Sequence, residues 1–265
     1  MTVTADGAQV PKQARSEHQD LHGRRVVITR PSGTAAALVR RIRVLGGSPI
    51  LLPGLTLRAV GDQHAAREAV LAALGDELII FTSPAAVRHA AALAPLRTAA
   101  TVFAVGQGTM RALRRRDIGS VRTPARQDSE GLLEQPELRD LRDCTVALIG
   151  ATGGRGLLQA QLAARGARLR EVHVYRRMAP RLDRRHLDRV QALPPSALVL
   201  LSSVEALDFL RQWAPPPAWA RMTAATAVVS SERLAAAARE AGFQRIVRAA
   251  SALSADLLQA ALDAD

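Results

Sequence analysis

The sequence predicts an α/β protein made of two similar, doubly wound parallel-sheet domains. Short, continuous apolar runs such as "VVIT", "LIIF" and "LVLL" alternate with alanine-, leucine- and arginine-rich stretches in which apolar residues recur at helical spacing. Such runs are typical of strands buried on both faces, and their alternation with helices is typical of parallel sheets. Glycines stand where the helices would end, at Gly46, Gly119, Gly166 and Gly242.

An internal repeat indicates that the two domains are related copies. The segment "LIIFTSPAAVRHAAAL" aligns with "LVLLSSVEALDFL", and "VFAVGQGTMRALRRRDIGSVRTP" aligns with "AVVSSERLAAAAREAGFQRIVRA". The last unit of the first copy, which begins "TVALIGATGG", aligns instead with "RVVITRPSG" near the N-terminus. The second copy is therefore permuted: its first strand–helix–strand unit opens the chain, and the remainder closes it.

The permutation predicts the domain boundaries. One discontinuous domain takes residues 24–53 and 182–265, and the other takes residues 64–168. Residues 54–63 and 169–181 cross between them, and we expect these crossings to pair as a two-stranded linker. Residues 1–23 are polar and lack the apolar segment of a signal peptide, so we expect a disordered tail.

Composition excludes several kinds of chemistry. Cys144 is the only cysteine, which excludes an internal disulfide, and six scattered histidines without a cysteine cluster predict no metal site. Lys12 is the only lysine, so the folded part has no Walker lysine, Schiff-base lysine or Tyr-x-x-x-Lys dyad. No apolar run is long enough to span a bilayer, and we expect a cytoplasmic protein without membrane contact.

The net charge of +12 favours an anionic partner, such as nucleic acid or a polycarboxylate or phosphate ligand. A surface made soluble by arginine explains the same charge. The sequence has few aromatic residues and no aromatic platform interleaved with its basic residues, so we expect no nucleic-acid binding.

Several motifs follow the order and spacing of a known family. They are "VVITRP", "FTSPAAV", "AVGQGTMRAL", "DSEGLL", "GGRGLLQAQLAARGARLREVHVYRR" and "LLSSVEALDFL". In these motifs and in its permuted repeat, the chain resembles the uroporphyrinogen-III synthases from about residue 24 to the C-terminus. The resemblance implies two α/β domains joined by a two-stranded linker, and a monomer.

The resemblance also implies an activity in the tetrapyrrole (haem and porphyrin) pathway. The family's enzymes close the linear hydroxymethylbilane into a macrocycle, with loss of water and inversion of the last pyrrole ring, and use no cofactor or metal. This substrate carries eight carboxylates, which would account for the excess of arginine. A transient contact with the preceding pathway enzyme is also implied. Because the uncatalysed closure is facile, such an enzyme must mainly fix a conformation.

Site residues follow from the resemblance, position by position. Tyr175, the only tyrosine, matches a family tyrosine at the end of a strand, and its phenol would donate a hydrogen bond or a proton to the departing hydroxyl. Thr109 matches a family threonine at the start of a helix, where it would hold a substrate carboxylate. Ser231 takes the equivalent place in the other domain, where the family often has threonine. For Tyr175 the structural alternative is a packed ring with a solvated hydroxyl.

Further candidates lie at the ends of strands. Ser83 and Ser202 (or its neighbour Ser203) occupy strand-to-helix turns that can offer N–H groups to anions. Arg30 and Arg155 are candidate partners for propionate or acetate groups of the substrate. Each hydroxyl-bearing candidate has an alternative role as a plain helix N-cap, and each arginine could instead be solvated surface.

Two other functions stay open at this point. Gly150, Gly153 and Gly156 form a G-x-x-G-x-x-G turn between a strand and a helix, and Arg176 ends the next strand, as in NADP-binding short-chain reductases. The lysine of those reductases is missing, and the repeat partner "ITRPSGTAAAL" lacks the glycines. The second alternative is a non-catalytic anion-binding module of the same fold.

Overall fold

The computed structural model describes residues 20–153 and 156–264, which divide into two compact units. Unit 1 consists of the described parts of Met1–Thr29, Gly33–Leu52 and Leu182–Asp265, and unit 2 consists of Arg30–Ser32 and Pro53–Arg181. Within the described ranges, none of the helices combines the length and apolar character needed for a transmembrane span.

The two units alternate strands and helices along the chain. The strands are β1 (Arg25–Ile28), β2 (Ser48–Leu51), β3 (Thr56–Ala59), β4 (Leu78–Phe81), β5 (Thr101–Ala104), β6 (Val121–Arg122), β7 (Thr145–Ala151), β8 (Arg168–Met178), β9 (Leu198–Leu200), β10 (Thr226–Val229) and β11 (Arg245–Arg248). The helices are α1 (Ala36–Val44), α2 (Gln63–Ala73), α3 (Pro84–Leu93), α4 (Gln107–Arg114), α5 (Ser129–Leu133), α6 (Leu157–Ala164), α7 (Arg184–Gln191), α8 (Val204–Trp213), α9 (Pro216–Thr223), α10 (Glu232–Glu240) and α11 (Ser254–Leu262), and a short 3₁₀ turn spans Pro136–Leu138.

The strand orders of the two sheets correspond element by element. Unit 1 has the parallel order β11-β10-β9-β1-β2, and unit 2 has β6-β5-β4-β7-β8, also parallel, with β3 added at the edge. The registers agree as well, since Leu78 of β4 lies opposite Val146 of β7, and Leu198 of β9 lies opposite Val26 of β1. The predicted α/β class with parallel sheets is confirmed, and the permuted repeat accounts for the shared order.

The two segments predicted as a separate linker contain β3 and most of β8, which are strands of the unit 2 sheet. Strand β3 pairs antiparallel with the end of β8, with Thr56 opposite Met178 and Ala59 opposite Tyr175. Strand β8 is a single strand whose first part pairs with β7. Because a single strand carries both pairings, residues 54–63 and 169–181 belong to unit 2, which extends from Pro53 to Arg181 and beyond the predicted limits of 64 and 168.

The packed part of unit 1 includes residues that were predicted to belong to the tail. Leu21 is only 1% exposed and packs in the core of unit 1, and its N–H donates to the carbonyl of Leu45 at 2.8 Å. A Cβ on Gly47 would come within 2.7 Å of the Leu21 side chain, so this leucine fits closely at the end of α1. The assignment of residues 20–23 to the tail was therefore wrong, and the rest of the tail lies outside the described residues.

Both sheets are buried on both faces. In β4 of unit 2, the side chains of Ile79 and Phe81 pack in one apolar cluster and that of Ile80 packs in another. In β1 of unit 1, the side chain of Val27 packs in one apolar cluster, and those of Val26 and Ile28 pack in another. This two-sided burial explains why the strands are continuous apolar runs in the sequence. It leaves the ends of the strands as the accessible parts of the sheets.

Candidate substrate site at the strand ends of unit 2

A β-bulge in β8 sets the direction of the only tyrosine. Gly150 of β7 lies opposite His173, but the next residue, Ala151, lies opposite Tyr175, so Val174 is the extra residue of the bulge. Regular alternation would turn Val174 and Tyr175 to opposite faces of the sheet. With the bulge, both side chains are buried in the same cluster of the core, at 1% and 6% exposure.

Helix α3 contacts Tyr175 at two points. The phenol oxygen lies 3.0 Å from Ser83 Oγ, and the ring stacks on the imidazole of His89 with centroids 5.3 Å apart and planes inclined by 18°. Ser83 is the N-cap of α3, and its Oγ accepts a hydrogen bond from the N–H of Ala86 at 3.0 Å. The N-cap prediction for Ser83 is correct, and the same hydroxyl also contacts the phenol.

The imidazole that stacks on Tyr175 favours its neutral form. Burial, and secondarily the positive charge of the adjacent Arg88, lower the pKa of His89 below its ordinary value. At neutral pH the ring beneath the phenol is therefore an uncharged aromatic plane. Such offset stacking of flat rings is favourable beyond the burial of their area.

Tyr175 lines a cleft of about 220 Å³. The polar residues of its wall include Thr82, Ser83, His173, Tyr175 and Arg177. The cleft lies at the carboxyl ends of β4 and β7 and along β8, which is where open α/β sheets bind ligands. His173 and Arg177 escaped the sequence analysis as site residues, although both lie within two residues of Tyr175 in "VHVYRR".

Gly150 permits a close approach between two strand ends. The hydroxyl of Thr82 donates to the carbonyl of Ile149 at 3.2 Å, and a Cβ built on Gly150 would lie 2.7 Å from Thr82 Oγ1. The first glycine of the dinucleotide-like turn therefore has a packing role within the sheet. The other two, Gly153 and Gly156, have φ values of 74° and 69°, which glycine adopts without strain.

We expect Gly150→Ala to destabilise the protein by about 1–3 kcal/mol, because its Cβ would force Thr82 away from Ile149. Gly61→Ala is the matched control, since a Cβ there meets nothing within 4 Å. Urea unfolding of both variants measures the difference. If the two variants unfold at the same urea concentration, Gly150 is not held in place by packing against Thr82.

The corresponding strand end of unit 1 is built from Thr29 and Ser202. Ser202 Oγ donates to the carbonyl of Thr29 at 3.0 Å, and the Ser202 N–H donates to the fully buried Thr29 Oγ1 at 2.9 Å. Ser203, not Ser202, caps α8 by accepting from the N–H of Ala206. The N-cap alternative for Ser202 is therefore wrong, because its side chain turns back to the neighbouring strand.

Ser231 and Thr109 are not equivalent positions. When the two units are aligned by their strand registers, Ser231, the N-cap of α10, corresponds to Gly106, the N-cap of α4. Thr109 is the third residue of α4 and is 3% exposed, so its repeat partner is Leu234, whose N–H donates to Ser231 Oγ. The N-cap alternative is thus correct for Ser231 and wrong for Thr109.

Of the two candidate arginines, Arg30 lies within the described residues. Arg30 follows β1 and is half-buried, and burial lowers the pKa of its guanidinium from the ordinary value. Arg155 lies outside the described residues. In residues 20–153 and 156–264, no group of three or more His, Cys, Asp or Glu side chains is placed to hold a metal ion.

Comparison with known families identifies the fold and the class of enzyme. The family model described as "Uroporphyrinogen-III synthase HemD" matches residues 36–259, which is most of the chain. The chain belongs to the uroporphyrinogen-III synthase family. It is an enzyme family of the tetrapyrrole pathway, and the NADP-reductase alternative is not supported.

Two curated relatives agree with this assignment. The uroporphyrinogen-III synthase of Salmonella typhimurium is 33% identical over 260 residues, which cover 89% of this chain and 98% of the relative. That of Escherichia coli is 32% identical over 254 residues, with the same coverage of 89% and 98%. The similarity therefore spans both units.

Solved structures of the family share the fold. A mutant uroporphyrinogen III synthase from Thermus thermophilus superposes with a TM-score of 0.60 at 23% identity, over 90% of this chain and 98% of that chain. The uroporphyrinogen-III synthetase of Helicobacter pylori superposes with a TM-score of 0.59 at 14% identity, over 91% and 99%. At these identities the likeness establishes the fold alone.

Proposed function

We propose that the protein cyclises hydroxymethylbilane to uroporphyrinogen III, with loss of water and inversion of the last pyrrole ring, and that Tyr175 acts on the leaving hydroxyl. One observation supports the role of Tyr175: the residue is 6% exposed and lines the cleft, and its hydroxyl lies 3.0 Å from the Oγ of Ser83, which lines the same cleft. The fixed phenol can therefore meet a substrate oxygen in a defined direction.

The proposed step balances with the groups present. The bond between the terminal methylene carbon and its hydroxyl breaks, and the oxygen leaves as water after taking the phenol proton of Tyr175. The terminal methylene carbon then bonds to the α-carbon of the last pyrrole that already carries a bridging methylene, and the bond from that α-carbon to the bridging methylene breaks. The released methylene bonds to the free α-carbon of the same ring, which inverts the ring, and the proton lost from this carbon restores the phenol. Every step is a proton transfer or a bond exchange within the substrate, so the proposal requires no cofactor or metal.

Ser83 is proposed to hold the phenol of Tyr175 in place during the loss of water and the ring closure. Its hydroxyl is fixed at the start of α3 by the N–H of Ala86, so the oxygen beside Tyr175 stays in place. A hydroxyl can either donate to the phenol oxygen or accept from it. Ser83 can therefore stabilise Tyr175 both as a neutral phenol and as the phenolate formed when the proton leaves.

We propose that His173 and Arg177 bind carboxylates of the substrate. Both line the cleft on the same strand as Tyr175, and a guanidinium matches a carboxylate with two parallel hydrogen bonds. Arg30 and Arg155 are further proposed carboxylate ligands. Thr109, Ser202 and Ser231 are proposed to act through the strand ends and helix N-termini that they form, which offer N–H groups to the remaining carboxylates.

The proposed setting is the cytoplasm, as a monomer, with the substrate received by a transient contact with the preceding enzyme of the pathway. The open-chain substrate supports this contact, because it closes spontaneously to the wrong isomer when it is free. The basic net charge of +12 favours capture of a polycarboxylate.

A coupled assay tests the proposed function. Hydroxymethylbilane is generated in situ in the presence of the purified protein, the products are oxidised, and the porphyrin isomers are separated by chromatography. We expect the type III isomer well above the type I background of a reaction without the protein. Only type I product from a folded protein would indicate the non-catalytic anion-binding module instead.

A further inference from the structure

Helix α3 and its N-cap contact both the hydroxyl and the ring of Tyr175. Ser83 at the N-cap of α3 contacts the hydroxyl, and His89 on the same helix stacks on the ring. Ser83 lines the cleft with Tyr175, whereas the cleft lining formed by the described residues does not include His89. Within the described residues, His89 is therefore placed to affect the reaction through its contact with the tyrosine ring.

We infer that His89 is a positioning residue for the reaction: its flat ring fixes the plane of the Tyr175 phenol and so fixes the direction of the hydroxyl. This inference rests on the proposed function of Tyr175. Both rings belong to unit 2, and the tyrosine side of the contact is buried at 6% exposure.

The residues of α3 that share the core cluster of Tyr175 explain why a flat residue matters on this helix. The other residues of α3 in the same cluster are small or aliphatic, such as Ala86, Val87 and Ala90. Aliphatic groups fill volume but do not favour one orientation of an aromatic ring over another. A second ring at 5.3 Å and 18° does, because offset stacking depends on the angle between the planes.

The bulge of β8 makes this contact possible. It turns Tyr175 to the side of the sheet on which α3 packs, in the same apolar cluster as residues of that helix. The direction of the phenol then has three determinants: the bulge sets the side of the sheet, Ser83 sets the end point of the hydroxyl, and His89 sets the plane. A small misplacement of a reacting group is enough to cost a large part of the rate.

Steady-state kinetics of substituted proteins test the inference. We expect His89→Leu, which keeps much of the volume but not the plane, to lower kcat about tenfold with KM within about twofold of the wild type. His89→Phe, which restores a flat ring, is expected to recover most of the kcat. His64→Leu is the matched control, because that imidazole on α2 is 85% exposed and its loss should leave kcat unchanged.

A double-mutant cycle separates positioning from general packing. In a Tyr175→Phe background the hydroxyl is gone, so His89→Leu is expected to have no further effect on kcat. An equal loss of kcat in both backgrounds would overturn the inference, because His89 would then act independently of the phenol. Wild-type kcat in His89→Leu would overturn it as well.

A spectroscopic measurement keeps this test independent of activity. Because the chain has one tyrosine, growth on 3-fluorotyrosine labels only position 175, and fluorine NMR reports that ring alone. In the wild type and in His89→Phe, we expect the stacked ring at position 89 to displace the fluorine chemical shift of residue 175 from that of free 3-fluorotyrosine. In His89→Leu, we expect the chemical shift to move toward that of the free amino acid. If this pattern is seen but the wild type makes no type III porphyrin, the proposed function fails while the contact stands. If type III is made and neither spectrum nor kcat depends on His89, the inference fails.

Discussion

Tyr175→Phe is expected to lower kcat for type III formation by about 100-fold or more, because it removes the proposed proton donor and leaves the ring in place. The ring is 6% exposed and stacked on His89, and a phenylalanine fits the same space. The free energy of unfolding should therefore change by no more than about 1.5 kcal/mol, the cost of one hydrogen bond to Ser83. The coupled assay measures the first effect, and urea unfolding measures the second.

Single changes elsewhere in the site provide the comparison for Tyr175→Phe. Thr109→Ala, Ser231→Ala and Arg30→Ala are each expected to cost less activity, because carboxylates of the substrate are shared among many N–H groups and arginines. Near-normal turnover by Tyr175→Phe would show that the phenol is not the acid. Tyr175 would then be a packed aromatic residue at the end of a strand.

Phe81→Ala is expected to destabilise unit 2 by about 3–5 kcal/mol. Phe81 is fully buried, and its strand pairs on both sides, with Ala104 of β5 and Ile149 of β7 opposite this residue. Removing the ring leaves a cavity that two paired backbones cannot collapse to fill. Far-ultraviolet circular dichroism in urea measures the loss. Tryptophan fluorescence would not, because both tryptophans, Trp213 and Trp219, lie in unit 1 and report on that unit.

Leu71→Ala is the control for Phe81→Ala. Leu71 on α2 of the same unit is 43% exposed, so we expect a change within about 0.5 kcal/mol. If Phe81→Ala costs no more than Leu71→Ala, then the core of unit 2 is not packed around β4 as described.

The sequence predicts the sheets well because their strands are local and strongly apolar. Runs such as "LIIF" and "LVLL" are short, continuous and buried on both faces, which is typical of strands in a parallel sheet. The permuted repeat also anticipates the shared strand order, because related units place equivalent strands side by side. Errors occur at edges, as with Leu21, whose burial depends on contacts with a residue as distant as Leu45.

The site is only partly predictable, for a physical reason. The resemblance selects Tyr175, the strand-to-helix turn selects Ser83, and their contact is consistent with a shared role. The bulge at Val174 and the stacking of His89 are not visible in the sequence, because both depend on the register between β7 and β8 and on the packing of α3. The sequence also cannot show which of Ser202 and Ser203 caps α8. The reason is the same, since the hydrogen-bond partner of Ser202 is Thr29, which is far away in the chain.

The most direct test of the proposed proton transfer uses the single tyrosine. Because Tyr175 is the only tyrosine in the chain, replacing tyrosine throughout with fluorinated tyrosines of graded phenol acidity changes this one group. If the phenol gives its proton to the departing hydroxyl, single-turnover rates of type III formation will change regularly with the phenol pKa across the series. Equal rates for all the fluorinated proteins, with type III still formed, would contradict that role for Tyr175.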